Sequence, residues 1–409
     1  MSTSTASYVA PLATLKTPKS RRIESIDLLR GIVMIIMALD HARDYFHGDA
    51  YIFDPTDLTQ TSGVLFFTRW ITHFCAPIFM FLSGVSAYLY GLKNGRKALS
   101  FFLLTRGCWL IFAELTIVSI GWTFNLHFTI YILQVIWAFG LSMLVLSALL
   151  GLNRKLLLTI ALVLIAGHNL LDGIHVPGAG GAAIAWAFLH EQHFFSFPPY
   201  MLAVGYPILP WIGLICLGYY LGGLYAPEQD PAQRRKTLRY WGVGAIVLFI
   251  VIRATNLYGD PSRWSVQHTP FFTFLSFLNV TKYPPSLLYI LMTIGPALLF
   301  LSAAERPLNA LSSKLVIFGR VPMFYYLIHL YFLHALAVIG ALLSGHSASD
   351  MTELTTWVTA NAKLKGYGFS LPVVYGVWIG TILLLYPLCK WFDGYKRANG
   401  AQKKWLSYL

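Results

Sequence analysis

Apolar runs of about 20 residues recur along most of this 409-residue chain, and they limit what it can fold into more than any other feature. A run of that length crosses the hydrocarbon core of a bilayer as one α-helix. Because 56% of the residues are hydrophobic and only 11% are charged, a soluble globular fold is excluded. We expect an all-α, polytopic membrane bundle of about ten transmembrane helices. The predicted spans are residues 26–46, 68–91, 102–124, 128–150, 155–171, 205–225, 238–257, 285–303, 317–343 and 371–393.

Lys and Arg occupy every second connection between these spans, which predicts that both termini are cytoplasmic. The basic residues are Lys16, Lys19, Arg21 and Arg22, then Lys93, Arg96 and Lys97, then Arg154 and Lys155, then Arg234, Arg235, Lys236 and Arg239, then Arg306, Lys314 and Arg320, and finally Lys390, Lys396, Arg397, Lys403 and Lys404. A crossing at residues 180–190 would break this alternation, so we expect a re-entrant or interfacial helix there. The net charge of +13 is therefore topological and indicates no nucleic-acid partner.

The predicted organisation is a cytoplasmic tail over residues 1–22, a single transmembrane domain over 23–395 and a basic cytoplasmic tail over 396–409. Residues 1–25 lack the apolar core of a signal peptide, so the first span is expected to be an uncleaved anchor in the cytoplasmic (inner) membrane. The longer connections are all predicted to be exterior and to carry the substrate-facing surface. They are residues 48–67, 172–204, 258–284 and 344–370.

A dense ionisable cluster ends the first span. Its members are Asp40, His41, Arg43, Asp44 and His47. Asp40, Asp44 and His47 share one helix face, and His41 can approach Asp44 at i+3. A histidine oriented by a carboxylate is what a general base or an acyl carrier requires. The alternative is a solvated helix end, since charges inside a bilayer cost about 2.5–3.5 kcal/mol each.

The second span offers partners for that cluster. Arg69 and His73 are i, i+4 neighbours at about the depth of Asp40, and we expect a buried ionic network that also includes Asp44. Pro77 is expected to kink this helix. Their participation in substrate binding is a second, separate prediction.

Other polar residues lie at both membrane faces. Asp27 and Arg30 are expected to pair at the cytoplasmic edge; alternatively, Arg30 and Arg22 contact a phosphate-bearing ligand. Arg106 is a second candidate for such a ligand, and Lys282 begins the eighth span near the outer face.

His329 and His334 lie deep in the ninth span, where a core histidine bonded to a neighbouring helix is the favoured interpretation. No span carries HxxxH or HExxH spacing, so we expect no metal. Cys75, Cys108 and Cys216 lie in predicted spans without a CxxC pair, as does Cys389, and are expected to be inert thiols.

Several sequence blocks resemble one family of membrane proteins, the bacterial relatives of heparan-alpha-glucosaminide N-acetyltransferase, over roughly residues 22–395. The blocks are RIESIDLLRGIVMIIMALDHARDYF, DPTDL, FFTRWITHFCAPIFMFLSG, YPILPWIGLICLGYYLG, KYPPSLLYILMTIGP and FGRVPMFYYLIHLYFLH. The resemblance implies transfer of an acetyl group from cytosolic acetyl-CoA to a glucosamine amine across the membrane, with a polar Asn and His pair after the first catalytic-domain helix. Asp40 stands at the position of that Asn. His47 matches the His by order, whereas His41 belongs to the DHARDYF block.

Together these observations predict a membrane-bound acyltransferase. Its acceptor is expected to be an amine or hydroxyl of a sugar or glycolipid at the outer face. His41 or His47 is the predicted base or acyl carrier, oriented by Asp40 or Asp44. Five further residues are predicted to contact substrate, namely Arg43, Arg69, His73, Lys282 and His329; Arg30 and Arg106 are predicted to contact the acetyl-CoA phosphates. A proton-coupled transporter using the same Asp/His/Arg network is the alternative, and homo-oligomerisation stays open.

Overall fold

The computed structural model describes residues 23–400 and 402–409, and 70% of the chain is helical. The predicted N-terminal tail and its basic residues Lys16, Lys19, Arg21 and Arg22 lie outside the described residues. The helices are α1 (Glu24–Phe46), α2 (Gly63–Thr72), α3 (Cys75–Asn94), α4 (Arg96–Ala113), α5 (Ser119–Thr123), α6 (Val135–Leu149), α7 (Arg154–Gly167), α8 (Gly181–Leu189), α9 (Leu209–Leu221), α10 (Pro231–Thr255), α11 (Pro270–Leu278), α12 (Leu287–Ala303), α13 (Ala310–Arg320), α14 (Pro322–Leu343), α15 (Ala348–Met351) and α16 (Leu371–Asn399).

Six helical stretches of the described chain are long and apolar enough to cross a membrane. They are Gly63–Asn94, Arg96–Thr123, Arg154–Leu171, Pro231–Thr255, Pro322–Leu343 and Leu371–Asn399. The shorter apolar helices α6, α9 and α12 coincide with the fourth, sixth and eighth predicted spans, and the 23-residue α1 coincides with the first. The predicted helical membrane architecture is confirmed, and the number of ten crossings stays a prediction.

The helical stretch Gly63–Asn94, which contains the second predicted span, is interrupted at His73 and Phe74, one turn before Pro77, where a kink is predicted. Proline lacks an N–H and its ring clashes with the carbonyl four residues earlier, which here belongs to His73. That carbonyl instead accepts a hydrogen bond of 2.7 Å from the Tyr289 hydroxyl on α12. The break therefore ties α2 and α3 to a distant helix. The ninth predicted span is likewise divided, into α13 and α14, immediately before Pro322.

Glycines let the central helices approach backbone to backbone. A Cβ at Gly31 of α1 would lie 2.1 Å from the Leu315 carbonyl oxygen of α13, and one at Gly84 of α3 would lie 2.1 Å from the Ile215 oxygen of α9. Small residues at helix contacts are how membrane bundles gain van der Waals packing without a hydrophobic driving force. These contacts fix α1, which carries Arg30, Asp40, His41, Arg43 and Asp44 of the predicted site, and α3, which follows α2 and its Arg69.

A small three-stranded sheet, which the sequence patterns did not predict, accompanies the predominantly helical bundle. Its strands are β1 (Ile130–Leu133), β2 (His193–Phe197) and β3 (Tyr200–Val204), in the order β1-β3-β2, with β1 parallel to β3 and β2 antiparallel to it. The apolar run predicted as the fourth span therefore begins as a strand and continues as α6. The stretch at 180–190 forms α8, whose nine residues rise only about 13 Å. It is too short for an eleventh crossing, as predicted.

Candidate active-site cavity

One cavity of about 1120 Å³ connects most of the predicted site residues. Three groups of its lining residues are distinguished here by their position along α1 and the loops. The basic end comprises Arg30, Arg106, Arg320 and Lys396; the central cluster comprises Asp40, His41, Arg43, Asp44, Arg69 and Lys282; the loop end comprises Asp54, Pro55, Gln192, Phe194 and Trp357. Along α1, the rise from Arg30 to His41 is about 16 Å at 1.5 Å per residue. The cavity therefore spans a large part of a bilayer's thickness.

Asp40 is the anion around which the central cluster is assembled. Arg69 Nη1 donates to both Asp40 carboxylate oxygens at 3.0 and 2.8 Å, and Arg43 Nη2 lies 2.9 Å from Asp40 Oδ1. Lys282 Nζ lies 3.8 Å from Asp40 Oδ2. Arg43 also donates to Asp44 at 2.5 Å. The predicted pairing of α1 with Arg69 is confirmed, and three cations against two carboxylates leave the cluster with a formal excess of positive charge.

His41 is oriented by another histidine, not by the expected carboxylates. His41 Nδ1 lies 2.8 Å from His329 Nε2, and His329 Nδ1 lies 2.8 Å from the Tyr325 carbonyl oxygen. A carbonyl only accepts, so the His329 proton is on Nδ1 and its Nε2 is an acceptor. His41 must then donate from Nδ1. Its Nε2 keeps a free lone pair, and no described residue hydrogen-bonds to that atom.

Aromatic rings surround His41. Trp122 and Tyr326 contact its ring edge to face, with centroids 4.7 and 6.1 Å away, and the two imidazoles of His41 and His329 are stacked. Trp122 and Tyr326 both line the cavity. Neither residue carries a distinctive sequence signal, because aromatic residues are common at membrane helix ends. These rings pack against His41, whose Nε2 is the ring nitrogen without a hydrogen bond to a described residue.

Three of the histidines predicted for the site do not line the cavity. His47 follows α1, is 5% exposed, and has its Nε2 4.0 Å from Asp49 Oδ2 while its Nδ1 is unpaired. Burial lowers the pKa of His47. His73 is buried beside Tyr289 at the α2–α3 break, with its Nδ1 unpaired. His329 also lies outside the lining and reaches the cavity only through His41.

At the basic end, the predicted pair between Asp27 and Arg30 is confirmed, with Arg30 Nη1 3.2 Å from Asp27 Oδ1. Arg30 Nη2 also donates to the Ser86 hydroxyl at 2.9 Å. Arg106 donates to the Ser407 carbonyl and lies over the Phe102 ring. Both guanidinium groups are therefore positioned by neighbouring protein groups, and both residues line the cavity.

Arg320 and Lys396 also line this end, and neither was predicted as a site residue. Arg320 Nε lies 3.9 Å from Asp27, and its Nη1 lies 3.7 Å from Asp393 on α16. The sequence signal for both residues was their membership of basic connections. By the positive-inside rule, that signal predicts only which side of the membrane the connections occupy. The structure adds that these cations face a cavity.

Glu114 illustrates a buried acid with a structural partner. It begins a π-helical segment, Glu114–Val118, and its Oε2 accepts a hydrogen bond of 2.8 Å from the Trp137 backbone N–H.

Among the described residues, His168, Asp172 and His190 are close enough to share a metal ion, and this group lies outside the cavity.

The family model described as "Heparan-alpha-glucosaminide N-acetyltransferase, catalytic" matches residues 22–257. The matched region contains α1 to α4 and therefore Arg30, the α1 part of the central cluster, Arg69 and Arg106. Lys282 and His329 lie beyond it. No curated protein matches the chain. Because the match covers more than half of the sequence, this multi-pass helical membrane protein belongs to the heparan-alpha-glucosaminide N-acetyltransferase catalytic-domain family.

Proposed function

We propose that the protein transfers an acetyl group from cytosolic acetyl-CoA to an amine or hydroxyl of a sugar or glycolipid at the outer face of the inner membrane. The observation that carries this proposal is the single cavity shared by the basic end, the central cluster and the loop end. The proposed topology has ten crossings and both termini in the cytoplasm. The transmembrane domain is proposed to cover residues 23–395, with the tails on either side of it.

The basic end is suited to the phosphates of the acetyl donor. Arg30, Arg106, Arg320 and Lys396 line it, and phosphate recognition uses such cations, with Arg able to bind in a bidentate manner. From there, the extended pantetheine arm follows α1 toward His41, about 16 Å away. Arg30 and Arg106 are the two residues for which the sequence predicts this contact. Arg320 and Lys396 extend the set.

The central cluster is suited to acyl transfer. His41 Nε2 has the free lone pair of a general base, and we assign it to accept the proton of the attacking amine or hydroxyl. The acceptor oxygen or nitrogen then forms the new bond to the acetyl carbonyl carbon while the thioester C–S bond breaks. The proton on His41 passes to the departing thiolate of coenzyme A. The same lone pair can alternatively attack the thioester carbonyl first, forming an acetyl-histidine as the C–S bond breaks and the coenzyme A thiolate leaves. The acceptor then attacks this acetyl group, its proton passes to the thiolate, and the histidine lone pair is restored.

The positive cluster beside His41 supports the same assignment. A tetrahedral acyl-transfer intermediate carries an oxyanion, and preorganised cations at that point stabilise it. Lys282 and Arg43 face the cavity next to Asp40, so they are assigned to the oxyanion or to the acceptor. Asp40 is assigned to hold Arg69, Arg43 and Lys282 in position. His73 and His47 receive no role in this scheme because neither lines the cavity.

Labelled acetyl-CoA tests the proposal directly. Membranes containing the full chain are incubated with radiolabelled acetyl-CoA, and the molecule that takes up label is isolated. His41→Ala and His47→Ala form a matched pair, because both residues are on or beside the end of α1 and only His41 lines the cavity. Label transfer that is lost in the first variant and kept in the second is expected. Unlabelled products together with proton-coupled solute uptake into proteoliposomes would instead indicate a transporter.

A further inference from the structure

A second cluster of ionisable side chains lies outside the cavity. It comprises His168, at the end of α7, Asp172, one turn later, and His190, which follows α8; we call it the His/Asp trio. One ligand atom from each side chain lies within 4.8 Å of the others. His190 Nε2 already lies 3.0 Å from Asp172 Oδ1. His190 lies 18 positions after Asp172, so the trio connects the end of α7 to the segment that follows α8.

The two histidines are buried with ring nitrogens unsatisfied. His168 and His190 are each 3% exposed. Neither ring nitrogen of His168 makes a hydrogen bond of normal geometry, although the Pro285 backbone is close by, and His190 Nδ1 is also unpaired. A buried polar atom without a partner costs about 1–3 kcal/mol. A metal ion that bound one nitrogen of His168 would supply a partner that the described residues do not.

The chemistry of the trio fits a borderline divalent cation. Two imidazoles and one carboxylate are a zinc donor set, and such sites complete a tetrahedron with a fourth ligand such as water. Ligands about 2.0–2.1 Å from zinc lie about 3.4 Å from one another in a tetrahedron. The His190–Asp172 separation of 3.0 Å is somewhat shorter than this, and the His168 ligand atom, which lies within 4.8 Å of the other two, reaches the site by a side-chain rotation. His190 can carry its single proton on Nδ1 when Nε2 binds the metal.

An outer hydrogen bond orients the carboxylate. Asn169 Nδ2 donates to Asp172 Oδ2 at 2.8 Å, which leaves Asp172 Oδ1 facing His190. Asn169 Oδ1 in turn accepts from the Leu287 backbone N–H at the first turn of α12. Metal ligands typically have such outer-shell partners, which fix the ligand orientation. The trio is therefore held against a third helix.

We propose that His168, Asp172 and His190 bind one zinc ion, or a chemically similar divalent cation, in a structural site. This site connects the segment containing α8, β2 and β3 to the end of α7 and the start of α12. That segment supplies Gln192 and Phe194 to the loop end of the cavity. The metal would take one ring nitrogen from each histidine and one oxygen of the partly exposed Asp172 carboxylate. Because the trio does not line the cavity, the site holds the wall in place and takes no part in the chemistry.

Metal content and cobalt spectroscopy test this site. The full chain, purified in detergent without a polyhistidine tag, is equilibrated with Zn²⁺, freed of excess metal and measured for zinc per chain. About one bound ion is expected, together with a higher midpoint of thermal unfolding that chelation reverses. Co²⁺ loading should give the visible absorption of a tetrahedral N/O site. Asn169→Ala should weaken binding about 10–100-fold.

Variants distinguish zinc binding at the trio from non-specific zinc binding at the protein surface. Asp172→Asn, His168→Ala and His190→Ala should each lose the ion, and His175→Ala is the matched control because His175 is exposed in the same segment and pairs with Glu191. Zinc content unchanged in the trio variants, or lost in His175→Ala, would overturn the proposal. If a trio variant fails to fold, the cobalt spectrum of the unaltered chain still decides. A spectrum of octahedral Co²⁺ alone would also overturn it.

Discussion

The central cluster and the His/Asp trio both contain histidine and aspartate, but the side chains around them differ. In the central cluster, Asp40 is surrounded by Arg69, Arg43 and Lys282, so the histidine next to it bonds to His329 instead. In the trio, no cation among the described residues contacts the carboxylate of Asp172, and its partners are a histidine and an amide.

The difference assigns different chemistry to the two regions. A histidine that faces a cavity with one free lone pair, and whose other nitrogen is fixed, is arranged as a base. Two buried histidines that converge on one unneutralised carboxylate are arranged as metal ligands. The role of a histidine or an aspartate, as a base or as a metal ligand, thus depends on the side chains that neighbouring helices place beside it. Each prediction below challenges that contrast.

The largest effect is expected from His41→Ala. Loss of a general base lowers the rate of acyl transfer by about 10²–10⁴-fold, and the Asp40 ion pairs should keep the fold intact. Initial rates with labelled acetyl-CoA measure the loss, and the thermal unfolding midpoint serves as the folding control. A His41→Ala protein with a near-normal rate would remove the central cluster from the chemistry and leave the contrast without a basis.

Asp40→Asn should have the largest effect on stability. It leaves Arg69, Arg43 and Lys282 close together without their shared counter-charge, and breaking a buried ion pair costs about 3–5 kcal/mol. The measurement is the unfolding midpoint in detergent. Asp49→Asn is the control, since that side chain is 51% exposed and its removal should change the free energy of unfolding by less than about 0.5 kcal/mol. Equal destabilisation by both variants would contradict the ion network.

His329 is expected to act as a positioning residue. His329→Ala removes the acceptor for His41 Nδ1–H, so His41 can change tautomer and the transfer rate should fall about tenfold, which corresponds to 1.4 kcal/mol. His329→Gln retains an acceptor oxygen and should recover part of the rate. The acetyl-CoA KM should be unaffected, and the acidic limb of the pH–rate profile should move in the Ala variant. A uniform loss in both variants without a profile change would indicate a packing role only.

How far the sequence predicts this site depends on how local each contact is. The Asp40 and Arg69 pair follows from helix spacing and equal depth on adjacent spans, and it is present. The His41 and His329 contact joins residues 288 positions apart, and nothing in the α1 sequence selects His329 over a nearer carboxylate. It depends on how α14 packs against α1. Helix spacing therefore predicted the cluster but not the partner of its histidine.

The missed sheet and the His/Asp trio have similar causes. Strands β1, β2 and β3 have four or five residues each, and β1 opens an apolar run that continues as α6, so its period cannot be read separately. His168 and Asp172 do show i, i+4 spacing at a helix end. The third member, His190, is brought to them only by the return of the chain through α8. Long-range return of this kind has no local sequence signal.

At the basic end, Arg106→Gln should raise the KM for acetyl-CoA about fivefold without changing kcat. A partly exposed ion contact contributes about 1 kcal/mol, and fivefold is the matching change in affinity. Arg154→Gln is the control, because Arg154 donates to the Tyr220 carbonyl and does not line the cavity. The same KM change in both variants would mean that bulk positive charge, not the basic end, attracts the donor.

His47 should give the smallest effect, visible only in the pH dependence of stability. Burial lowers its pKa, so the folded chain resists a proton that the unfolded chain accepts below about pH 6.5. Stability is therefore lost as the pH falls through the interval between the unfolded and the folded pKa. His47→Gln should lose less stability than the unaltered chain between about pH 6.5 and 5, at nearly full transfer activity. The difference between their unfolding midpoints isolates His47, since all other histidines are shared. If transfer were lost in His47→Gln and kept in His41→Ala, the role assigned to His41 would belong to His47, at the other end of this seven-residue stretch.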